Sequence, residues 1–437
     1  MKWVCEVCGR EIREDAAAAS RCECGGLIEI AHDAKRWDAE ALKRLFHDRL
    51  QDRTSVYASG VWRYKELIHP LLPESAIVTR GEGNTGLYRA SSALEAYAGV
   101  RELRFKAQSE NPSGSFKDCG MVAAVSEGRR QGFSRFACAS TGNTSSSLAM
   151  YASRAGCRAY VFLPVRGISP NKVLQTWALG GRVLAFEGTY DDGIRFLEAH
   201  GRSLGLYVCN SVNPFRIEGQ KSMVFELAQT LDWSLPDWIV VPGGALSNAA
   251  AIGKAVCELH DSGFIARKPR IAIVQAEGAS PFSRMIEAGG SELIPEPKPL
   301  TRASALNIGN PPGWRKAWRY AIQGAQGTAL SVTDGEIMEA KRLIDTSGIG
   351  CEPASAAALA GLKKLRERGV VSRDESAVCV LTGHLLKDTD ILMEWAGWLP
   401  PEAASASPGE RLRGSADTDR FRRVELDPNV IAAAMND

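Results

Sequence analysis

The sequence lacks the features that direct a chain into a membrane or onto a nucleic acid. No apolar run approaches the roughly 20 residues of a membrane-spanning helix, and the N-terminal segment lacks the charged-then-apolar order of a signal peptide. The 437 residues include 53 Lys and Arg against 51 Asp and Glu, so the formal net charge is only +2. No overall field therefore attracts nucleic acid or an anionic membrane. We expect a cytoplasmic protein with neither partner.

The chain also lacks a disulfide framework. Of its 11 cysteines, most are scattered through apolar runs, where a free thiol behaves as a small buried hydrophobe. The other four follow the pattern Cys5-x2-Cys8-x13-Cys22-x-Cys24. Four thiolates at this spacing can surround Zn²⁺ tetrahedrally and leave no open position for catalysis. The pattern predicts a structural zinc site, and the alternative is a reduced, metal-free cysteine knuckle.

The composition is that of a globular protein, and its elements alternate regularly. With 45% hydrophobic residues, 24% charged residues and 42 glycines, the chain can bury a large core, and its length favours two or three folding units. Between Leu103 and His384, short apolar runs alternate with amphipathic stretches, as in βα units of parallel sheets. The fold class is therefore α/β. The predicted strands are 136–140, 160–164, 183–186, 239–242, 271–276 and 378–382.

A lysine follows a turn of small residues in the segment Ser109-Glu-Asn-Pro-Ser-Gly-Ser-Phe-Lys117-Asp118, and a helix is predicted to begin there. The positive end of a helix dipole disfavours an ammonium ion and favours the neutral amine that attacks an aldehyde. Lys117 is therefore a candidate for Schiff-base chemistry. For the lysine alone, the alternative is a solvated side chain on a helix.

Two other turns follow predicted strands and offer hydrogen-bond donors to an anion. The turn Ser140-Thr-Gly-Asn143-Thr-Ser-Ser-Ser147 opens a helix with hydroxyl and amide groups, and an over-capped helix start explains it equally well. The turn Val241-Pro-Gly243-Gly244-Ala-Leu-Ser247-Asn248 has paired glycines that let the backbone approach a phosphate. A glycine turn is a weak signal by itself, and this one matches neither the dinucleotide fingerprint nor a P-loop.

A third strand ends in a hydroxyl residue, in Val380-Leu-Thr382-Gly-His384. Ligands of open α/β sheets lie outside the carboxyl ends of the strands. We therefore expect Ser140, Pro242 and Thr382 to converge on one crevice within reach of Lys117. The sequence leaves open whether His384 has a direct role. It also leaves open whether Glu352 caps a helix or shapes the crevice.

Eight short motifs occur in a fixed order along the chain. They are Gly81-Glu-Gly-Asn-Thr85, Asn111-Pro-Ser-Gly-Ser-Phe-Lys-Asp118, Ser140-Thr-Gly-Asn-Thr-Ser145, Asn213-Pro-Phe-Arg216-Ile-Glu-Gly-Gln220, Gln275-Ala-Glu-Gly278, Asn307-Ile-Gly-Asn-Pro311, Cys351-Glu-Pro-Ala-Ser355 and Leu381-Thr-Gly-His384 with Leu386-Lys-Asp388. In these motifs the chain resembles fold-type-II pyridoxal-phosphate enzymes of the tryptophan synthase beta superfamily, and threonine synthases in particular. The cysteine-bearing head resembles the N-terminal ribbon of the longer threonine synthases.

The resemblance implies a fold with two parallel-sheet α/β domains and a small zinc-ribbon-like head. The head would be residues 1–35, the large cofactor-binding domain residues 36–112 and 213–398, and the small domain residues 113–212. Residues 399–437 would form a C-terminal extension. A homodimer is expected by family analogy alone.

The resemblance also implies roles for single residues. Lys117 would hold pyridoxal 5'-phosphate, Asn143 would contact its phenolic oxygen, and Thr382 would meet its ring nitrogen. Because a hydroxyl stabilises a pyridinium charge less than a carboxylate does, the ring would be a milder electron sink. The loop Gly243, Gly244, Ala245, Leu246, Ser247 and Asn248 would hold the cofactor phosphate, and Thr144, Ser211 and Arg216 the phosphate of the substrate.

The implied reaction converts O-phospho-L-homoserine and water to L-threonine and phosphate by β,γ-elimination and addition of water at the β-carbon. Four departures from the family pattern bear on the substrate. Cys119 replaces a customary arginine, Ala245-Leu246 replaces Asn-Ala, and Leu385 and Thr389 replace glycine and proline. They leave open β-replacement on another phosphorylated amino acid, as in cysteate synthase, or a serine/threonine dehydratase. The non-enzymatic alternative is a zinc-ribbon adaptor with an inactive α/β body.

Overall fold

The computed structural model describes residues 1–13, 21–140, 142–164 and 170–396. The chain forms two compact units, Met1–Lys387 and Asp388–Asp437. The described part of the second unit is a single helix and its flanking residues, and the predicted extension 399–437 lies outside the described residues. Among the described helices, none is both long and apolar enough to cross a membrane.

Strands and helices alternate through most of the first unit, as the sequence predicts. The strands are β1 (Lys2–Cys5), β2 (Glu11–Ile12), β3 (Ile28–Ala31), β4 (Leu87–Arg89), β5 (Glu102–Ala107), β6 (Arg135–Ala139), β7 (Arg158–Pro164), β8 (Arg182–Phe186), β9 (Tyr207–Val208), β10 (Trp238–Pro242), β11 (Arg270–Ala276), β12 (Thr328–Val332) and β13 (Ser376–Leu381). The helices are α1 (Ala39–Gln51), α2 (Lys65–Ile68), α3 (Ser92–Ala98), α4 (Lys117–Arg130), α5 (Asn143–Arg154), α6 (Pro170–Ala178), α7 (Tyr190–His200), α8 (Pro214–Gln220), α9 (Ser222–Thr230), α10 (Ser247–Asp261), α11 (Pro281–Glu287), α12 (Trp314–Ala317), α13 (Asp334–Thr346), α14 (Pro353–Glu367) and α15 (Thr389–Trp395).

The larger sheet has the strand order β12-β11-β10-β13-β5-β4. Its strands are parallel except β4, which pairs antiparallel with β5 at the edge. The central strands β10, β11 and β13 are almost wholly buried, because helices cover both faces of the sheet. Their continuous apolar sequences are typical of such strands.

The smaller sheet has the order β8-β7-β6-β9 and is parallel throughout. All six strands predicted from the sequence are present in the two sheets, with limits that differ by at most two residues. Four strands of the two sheets were not predicted: β4 and β9, which are 3 and 2 residues long, and β5 and β12, which are 6 and 5 residues long. Strands as short as β4 and β9 carry too little apolar periodicity to be recognised, and β5 and β12 have polar or charged residues among their apolar ones.

Helix α14 lies unusually close to the larger sheet. Its sequence begins Pro-Ala-Ser-Ala-Ala-Ala-Leu-Ala-Gly, and these residues are all buried. A Cβ atom on Gly361 would lie 2.3 Å from Val274 Cγ2 of β11, so only glycine permits this approach. The close packing fixes the N-terminus of α14, and with it Glu352, beside the end of β13, where Glu352 N donates to Gly383 O at 2.8 Å.

The N-terminal head consists of β2, β1 and β3 paired antiparallel. Strand β3 is held by two buried lysines from the body of the protein. Lys316 Nζ donates to Ile28 O at 3.0 Å, and Lys254 Nζ donates to Ile30 O. Because Lys254 belongs to α10, the head contacts a helix whose first turn is part of the candidate site.

A buried charge network also joins the head to α8 and α10. The Glu218 carboxylate of α8 accepts from His32 Nε2 at 2.8 Å, pairs with Lys221 at 2.6 Å, and pairs with Lys254. Burial alone would raise the pKa of Glu218, but Lys221 and Lys254 outweigh it and hold the pKa well below its usual value. The two ammonium groups fill the space among the acidic side chains, so we interpret this cluster as an ion-pair network and not a metal site.

Candidate active site

Three turns meet at one edge of the larger sheet. Strands β5, β13 and β10 are adjacent and parallel, so the turns that follow them leave the sheet side by side. These turns contain Lys117, Thr382 and the glycine loop. Ser140 instead follows β6 of the smaller sheet, so its expected convergence with Pro242 and Thr382 is not a property of one sheet. The connection is made by Asn143, which reaches across to Glu352.

Lys117 is the first residue of α4, as predicted. The turn before it is fastened to the end of β13: Phe116 N donates to Thr382 O, and His384 N donates to Gly114 O, both at 2.9 Å. The Lys117 side chain is half-buried. Burial lowers the pKa of its ammonium group to about 7; the Arg216 cation acts in the same direction and the Glu352 carboxylate opposes it. A neutral amine is therefore available near pH 7, as Schiff-base chemistry requires.

Asp118 fixes the turn that carries Lys117. Its carboxylate accepts from Ser113 N at 2.7 Å, Ser113 Oγ at 2.6 Å and Ser147 Oγ at 2.6 Å. Burial raises the pKa of Asp118 to about 6, although these three hydrogen bonds favour the ionised form. Since Ser147 belongs to α5, the carboxylate ties the Lys117 turn to the helix that begins with Asn143.

A carboxylate lies between the two residues that were predicted to meet the cofactor ring. Asn143 Nδ2 donates to Glu352 Oε2 at 2.9 Å, and Thr382 Oγ1 donates to Glu352 Oε1 at 3.1 Å. Thr382 Oγ1 also lies 2.9 Å from Ser355 Oγ. The carboxylate fits only because residue 383 is glycine, whose added Cβ would lie 2.3 Å from Glu352 Cδ. Glu352, whose role the sequence left undecided, makes no side-chain cap hydrogen bond to α14 and instead contacts Asn143 and Thr382.

The glycine loop after β10 is tightly packed. A Cβ atom on Gly243 would lie 2.7 Å from Ile273 Cγ2, and one on Gly244 would lie 2.6 Å from Ala305 O. Ala245 O accepts a hydrogen bond from Gly313 N at 3.1 Å. Side chains at the two glycines would push the loop out of this position, so the glycines are required by close packing.

The loop ends in a strained residue and an unsatisfied amide. Leu246 is buried with φ of 64°, in the left-handed region that costs a non-glycine residue about 1–2 kcal/mol. It precedes Ser247, where α10 begins with free backbone N–H groups. Asn248 Nδ2 is buried and has no hydrogen-bond partner in the described part of the chain. Strain and an unpaired donor at a helix start are typical of an anion-binding turn.

The three residues predicted to hold a substrate phosphate are in different environments. Arg216 on α8 is fully buried, and its Nη1 donates to Cys209 O at 3.1 Å. Its charge acts on Lys117, which places the two cations near one another. Thr144 is the second residue of α5, directly after Asn143, and is buried. Ser211, which lies after β9, is half-buried. Arg216 is the only one of these three with a charge, and its cation acts electrostatically on the candidate nucleophile.

The four cysteines of the head come together as predicted. Cys5 Sγ lies 3.4 Å from Cys24 Sγ, and Cys8 Sγ lies 3.9 Å from Cys22 Sγ. All four sulfur atoms lie within 4.8 Å of one another. With a Zn–S bond of about 2.3 Å, tetrahedral geometry places sulfur atoms about 3.8 Å apart, so the cluster has the dimensions of a zinc site.

Comparison with known proteins identifies the family. A model for the family described as pyridoxal-phosphate dependent enzyme matches residues 78–383. Threonine synthase from Methanocaldococcus jannaschii is 41% identical over 421 residues, which are 96% of this chain and 98% of that protein. The chain belongs to the threonine synthase family of pyridoxal-phosphate dependent enzymes. Threonine synthase from Methanosarcina acetivorans is 39% identical over 393 residues, or 89% of this chain and 93% of that protein.

Solved structures agree on the fold-type-II architecture. Threonine synthase from Escherichia coli superposes with a TM-score of 0.69 over 99% of this chain and 94% of that one, at 16% identity. Maize serine racemase gives a TM-score of 0.61 over 77% and 97% of the two chains, at 19% identity. These likenesses concern the fold. They confirm the predicted α/β class, which the threonine synthase family shares with other pyridoxal-phosphate enzymes.

Cys119, which departs from the family pattern, lies in a buried cluster of polar side chains. Cys119 Sγ lies 3.5 Å from Gln108 Oε1 and 3.6 Å from Asn111 Oδ1, and burial raises the pKa of this thiol well above its usual value. Glu226, which forms a buried ion pair with Lys106 at 2.8 Å, also raises the pKa of this thiol. The thiol is neutral and acts as a weak hydrogen-bond donor. The customary arginine of threonine synthases is therefore replaced by a neutral group among amides.

The sequence reasoning missed the residues that orient the predicted ones. Asp118 and Ser355 lie within quoted motifs, and that position was the only available signal for them. His384, for which a direct role was left open, is half-buried; its Nδ1 accepts from Leu386 N at 3.2 Å, and burial lowers its pKa. This histidine stabilises the turn after Thr382. Leu385, another departure from the family pattern, packs against Gly350. A Cβ atom added to Gly350 would lie 2.5 Å from Leu385 Cδ2.

Proposed function

We propose that this member of the threonine synthase family converts O-phospho-L-homoserine and water to L-threonine and inorganic phosphate. The observation that carries the proposal is the position of Lys117. Its amine has a pKa of about 7, is within electrostatic range of the Arg216 cation, and follows the turn that is bonded to Thr382 and tied by Asp118 to the Asn143 helix. An amine nucleophile within the field of a buried guanidinium suits a substrate that carries both a reacting amino acid centre and a phosphate.

The residues present fit pyridoxal 5'-phosphate. Lys117 would hold its aldehyde carbon, Asn143 would contact the phenolic oxygen, and Thr382 would meet the ring nitrogen. The turn from Gly243 through Gly244, Ala245, Leu246 and Ser247 to Asn248 would hold the phosphate, and the unpaired Nδ2 of Asn248 supplies a donor for it. When bound, this cofactor withdraws electrons from the carbon atoms next to the substrate nitrogen.

The amine of Lys117 has a second task in the proposed reaction. With the cofactor bound and the amine of Lys117 free, this amine would remove the proton at the substrate α-carbon and would carry protons during elimination of phosphate. A base with a pKa of about 7 is half-neutral at pH 7 and accepts and returns a proton with little free-energy difference. The lowered pKa of Lys117 therefore suits both covalent attachment and proton transfer.

The phosphate of the substrate would lie against Arg216, with Thr144 and Ser211 as hydroxyl donors. A guanidinium makes two parallel, charge-assisted hydrogen bonds to phosphate oxygens. A phosphate dianion next to Lys117 would also offset the repulsion between the two cations. Enzymes that act on free serine or threonine have no need of a second anion site, so a buried arginine that acts electrostatically on Lys117 supports a phosphorylated substrate.

The product formed from O-phosphohomoserine tests the proposal. Purified protein loaded with pyridoxal phosphate should release phosphate and threonine in equal amounts, and Lys117→Ala should release neither. Lys298→Ala, at an exposed position, is the matched control and should be fully active. Phosphate release without threonine would refute the assignment. Turnover of phosphoserine with sulfite, or deamination of free threonine, at a higher rate would instead establish the alternatives that Cys119 and Leu385 left open.

We also propose that Cys5, Cys8, Cys22 and Cys24 hold a structural Zn²⁺. The sulfur separations support this proposal, and a tetrathiolate site contributes directly to folding stability. Metal analysis should give one zinc per chain, lost in Cys8→Ser and retained in Cys157→Ser, a half-buried cysteine outside the head. Retention of zinc in Cys8→Ser would refute the assignment.

Two further expectations from the resemblance stay proposals, the homodimer and the domain division. All four strands of the smaller sheet fall within residues 113–212, which supports a separate small domain there. Sedimentation equilibrium would measure the mass of the assembly. Limited proteolysis would test the limits near residues 113 and 212, and cleavage only elsewhere would contradict them.

A further inference from the structure

The hydroxyl of Thr382 is part of a chain of hydrogen bonds whose direction can be worked out. Ser355 Oγ accepts from Thr382 N at 2.8 Å and from Gly383 N at 3.0 Å. A serine hydroxyl has two acceptor positions and one hydrogen, so both acceptor positions of Ser355 are filled by backbone donors. Its hydrogen must therefore be donated, and among the described residues the acceptor in contact with it is Thr382 Oγ1, at 2.9 Å.

The hydrogen of Thr382 consequently points away from Ser355. The contact that remains for it is Glu352 Oε1 at 3.1 Å. The other oxygen of this carboxylate accepts from Asn143 Nδ2 at 2.9 Å, so both oxygens accept and neither needs a proton. A hydrogen bond to an ionised carboxylate is stronger than one to a neutral acceptor. The order of donation is thus Ser355 to Thr382 to Glu352.

This order leaves Thr382 with one free acceptor position and no free hydrogen. If the cofactor nitrogen lies against Thr382, as in the proposed function on which this inference rests, only a nitrogen that carries a hydrogen can bond to it. We propose that Ser355 and Glu352 act as positioning residues that make Thr382 a hydrogen-bond acceptor, so that the ring nitrogen of the bound cofactor is protonated.

The arrangement changes the expected electron-withdrawing strength of the ring. Thr382 alone would leave the nitrogen neutral and the ring a milder electron sink. Through Thr382, the carboxylate of Glu352 acts on the nitrogen indirectly, and its charge opposes the two nearby cations, Lys117 and Arg216. A protonated ring stabilises negative charge at the substrate carbons more strongly, which suits an elimination that removes the proton at the α-carbon.

The protonation state can be measured without reference to turnover. The protein is loaded with pyridoxal phosphate labelled with ¹⁵N in the ring, and the ¹⁵N chemical shift is recorded, because protonated and neutral ring nitrogens give well-separated resonances. We expect the protonated shift in the wild type, the neutral shift in Glu352→Gln, and the neutral shift in Thr382→Val. Thr382→Ser keeps the hydroxyl and should keep the protonated shift.

A matched control separates this role from general effects of losing a carboxylate. Glu336→Gln makes the same substitution in helix α13, where the Glu336 carboxylate caps the helix and contacts Thr333 and Lys364. This control should leave the ¹⁵N chemical shift unchanged. In the Thr382→Val background, Glu352→Gln should cause no further change, because its effect passes through Thr382. Glu352→Asp provides a second carboxylate variant if Glu352→Gln does not fold.

Two results would overturn the inference. One is a neutral nitrogen in the wild-type protein, and the other is a protonated nitrogen that persists in folded Glu352→Gln. Failure of the proposed function looks different: the visible absorbance of the cofactor would be absent or unaffected by Lys117→Ala if the cofactor site is wrong, and phosphate would be released without threonine if the reaction is wrong.

Discussion

The reactivity of Lys117 should follow the titration of its amine, whose midpoint should lie about three pH units below that of an ordinary lysine. Burial and Arg216 lower its pKa from 10.5 to about 7. At pH 7 about half of the side chain is then neutral, against roughly 3 × 10⁻⁴ for an unperturbed lysine. The concentration of the attacking amine is thus about 10³-fold higher. The gain in rate will be smaller, since a weaker base is a weaker nucleophile, so the midpoint of the titration is the decisive quantity.

The assay is the rate at which cofactor-free protein captures pyridoxal phosphate, followed by visible absorbance after rapid mixing between pH 5.5 and 10. The rate relative to that of Nα-acetyl-lysine, which corrects for titration of the cofactor itself, should be constant below about pH 7 and fall above it, because the Lys117 amine is then fully neutral while the neutral fraction of the reference amine still rises. The sign follows from the lowered pKa: the neutral amine predominates above 7, and protonation removes it below 7.

Two variants should move this midpoint in opposite directions. Arg216→Gln removes the cation that lowers the pKa of Lys117, so the midpoint should move to higher pH. Glu352→Gln removes the carboxylate that raises it, so the midpoint should move to lower pH. Glu336→Gln should leave it in place. A wild-type midpoint near 10, or a shift of both variants in the same direction, would refute this account of the electrostatics.

Three further predictions concern packing and binding. Glu218→Gln breaks a fully buried ion network and should lower the free energy of unfolding in urea by about 3–5 kcal/mol. The control Glu11→Gln, in an exposed pair with Lys2, should lower it by at most about 1 kcal/mol. Equal effects would contradict the role of the network in stability. In Gly219→Ala the new Cβ would lie 2.0 Å from Cys119 O, so α8 should be displaced and KM for the phosphorylated substrate raised. In the control Gly335→Ala the nearest neighbour of the new Cβ would be 3.8 Å away, and KM should be unchanged. An unchanged KM in both variants would refute the predicted displacement of α8. Asn248→Ala removes a buried donor from the glycine loop and should weaken cofactor binding by about 1.5–3 kcal/mol, or roughly 10- to 150-fold in Kd. Fluorescence titration would measure this Kd. An unchanged Kd would exclude a contact of Asn248 with the cofactor phosphate.

The linkage between head and body suggests why the ribbon is retained. Glu218 lies two residues after Arg216 on α8, and Lys254 lies on the helix that begins with Ser247. The network that joins these two residues to His32 of the head is buried throughout. The head therefore holds together α8, which carries Arg216, and α10, which follows the glycine loop.

The local elements could be predicted because their signals are local. Continuous apolar runs predicted β10, β11 and β13, since strands buried on both faces have no polar side. The Cys-x2-Cys and Cys-x-Cys spacings predicted that four thiols meet, because each short gap is one tight turn. The start of α4 at Lys117 followed from the turn of small residues before it. The glycine loop was visible but weak, and the close contacts that make its glycines necessary became apparent only in three dimensions.

By itself the sequence determined which chemical groups are available and which turns carry them: an amine, a guanidinium, glycines at a strand end, and thiols in the head. The tertiary structure decided how those groups act. The pKa of Lys117 depends on burial and on Arg216 and Glu352, which lie far from it in the chain. The direction of donation at Thr382 depends on Ser355 and Glu352, and Glu352 also contacts Asn143 at a separation of 209 residues. Desolvation and long-range hydrogen bonds exist only once the chain has folded, so no local pattern could have encoded them.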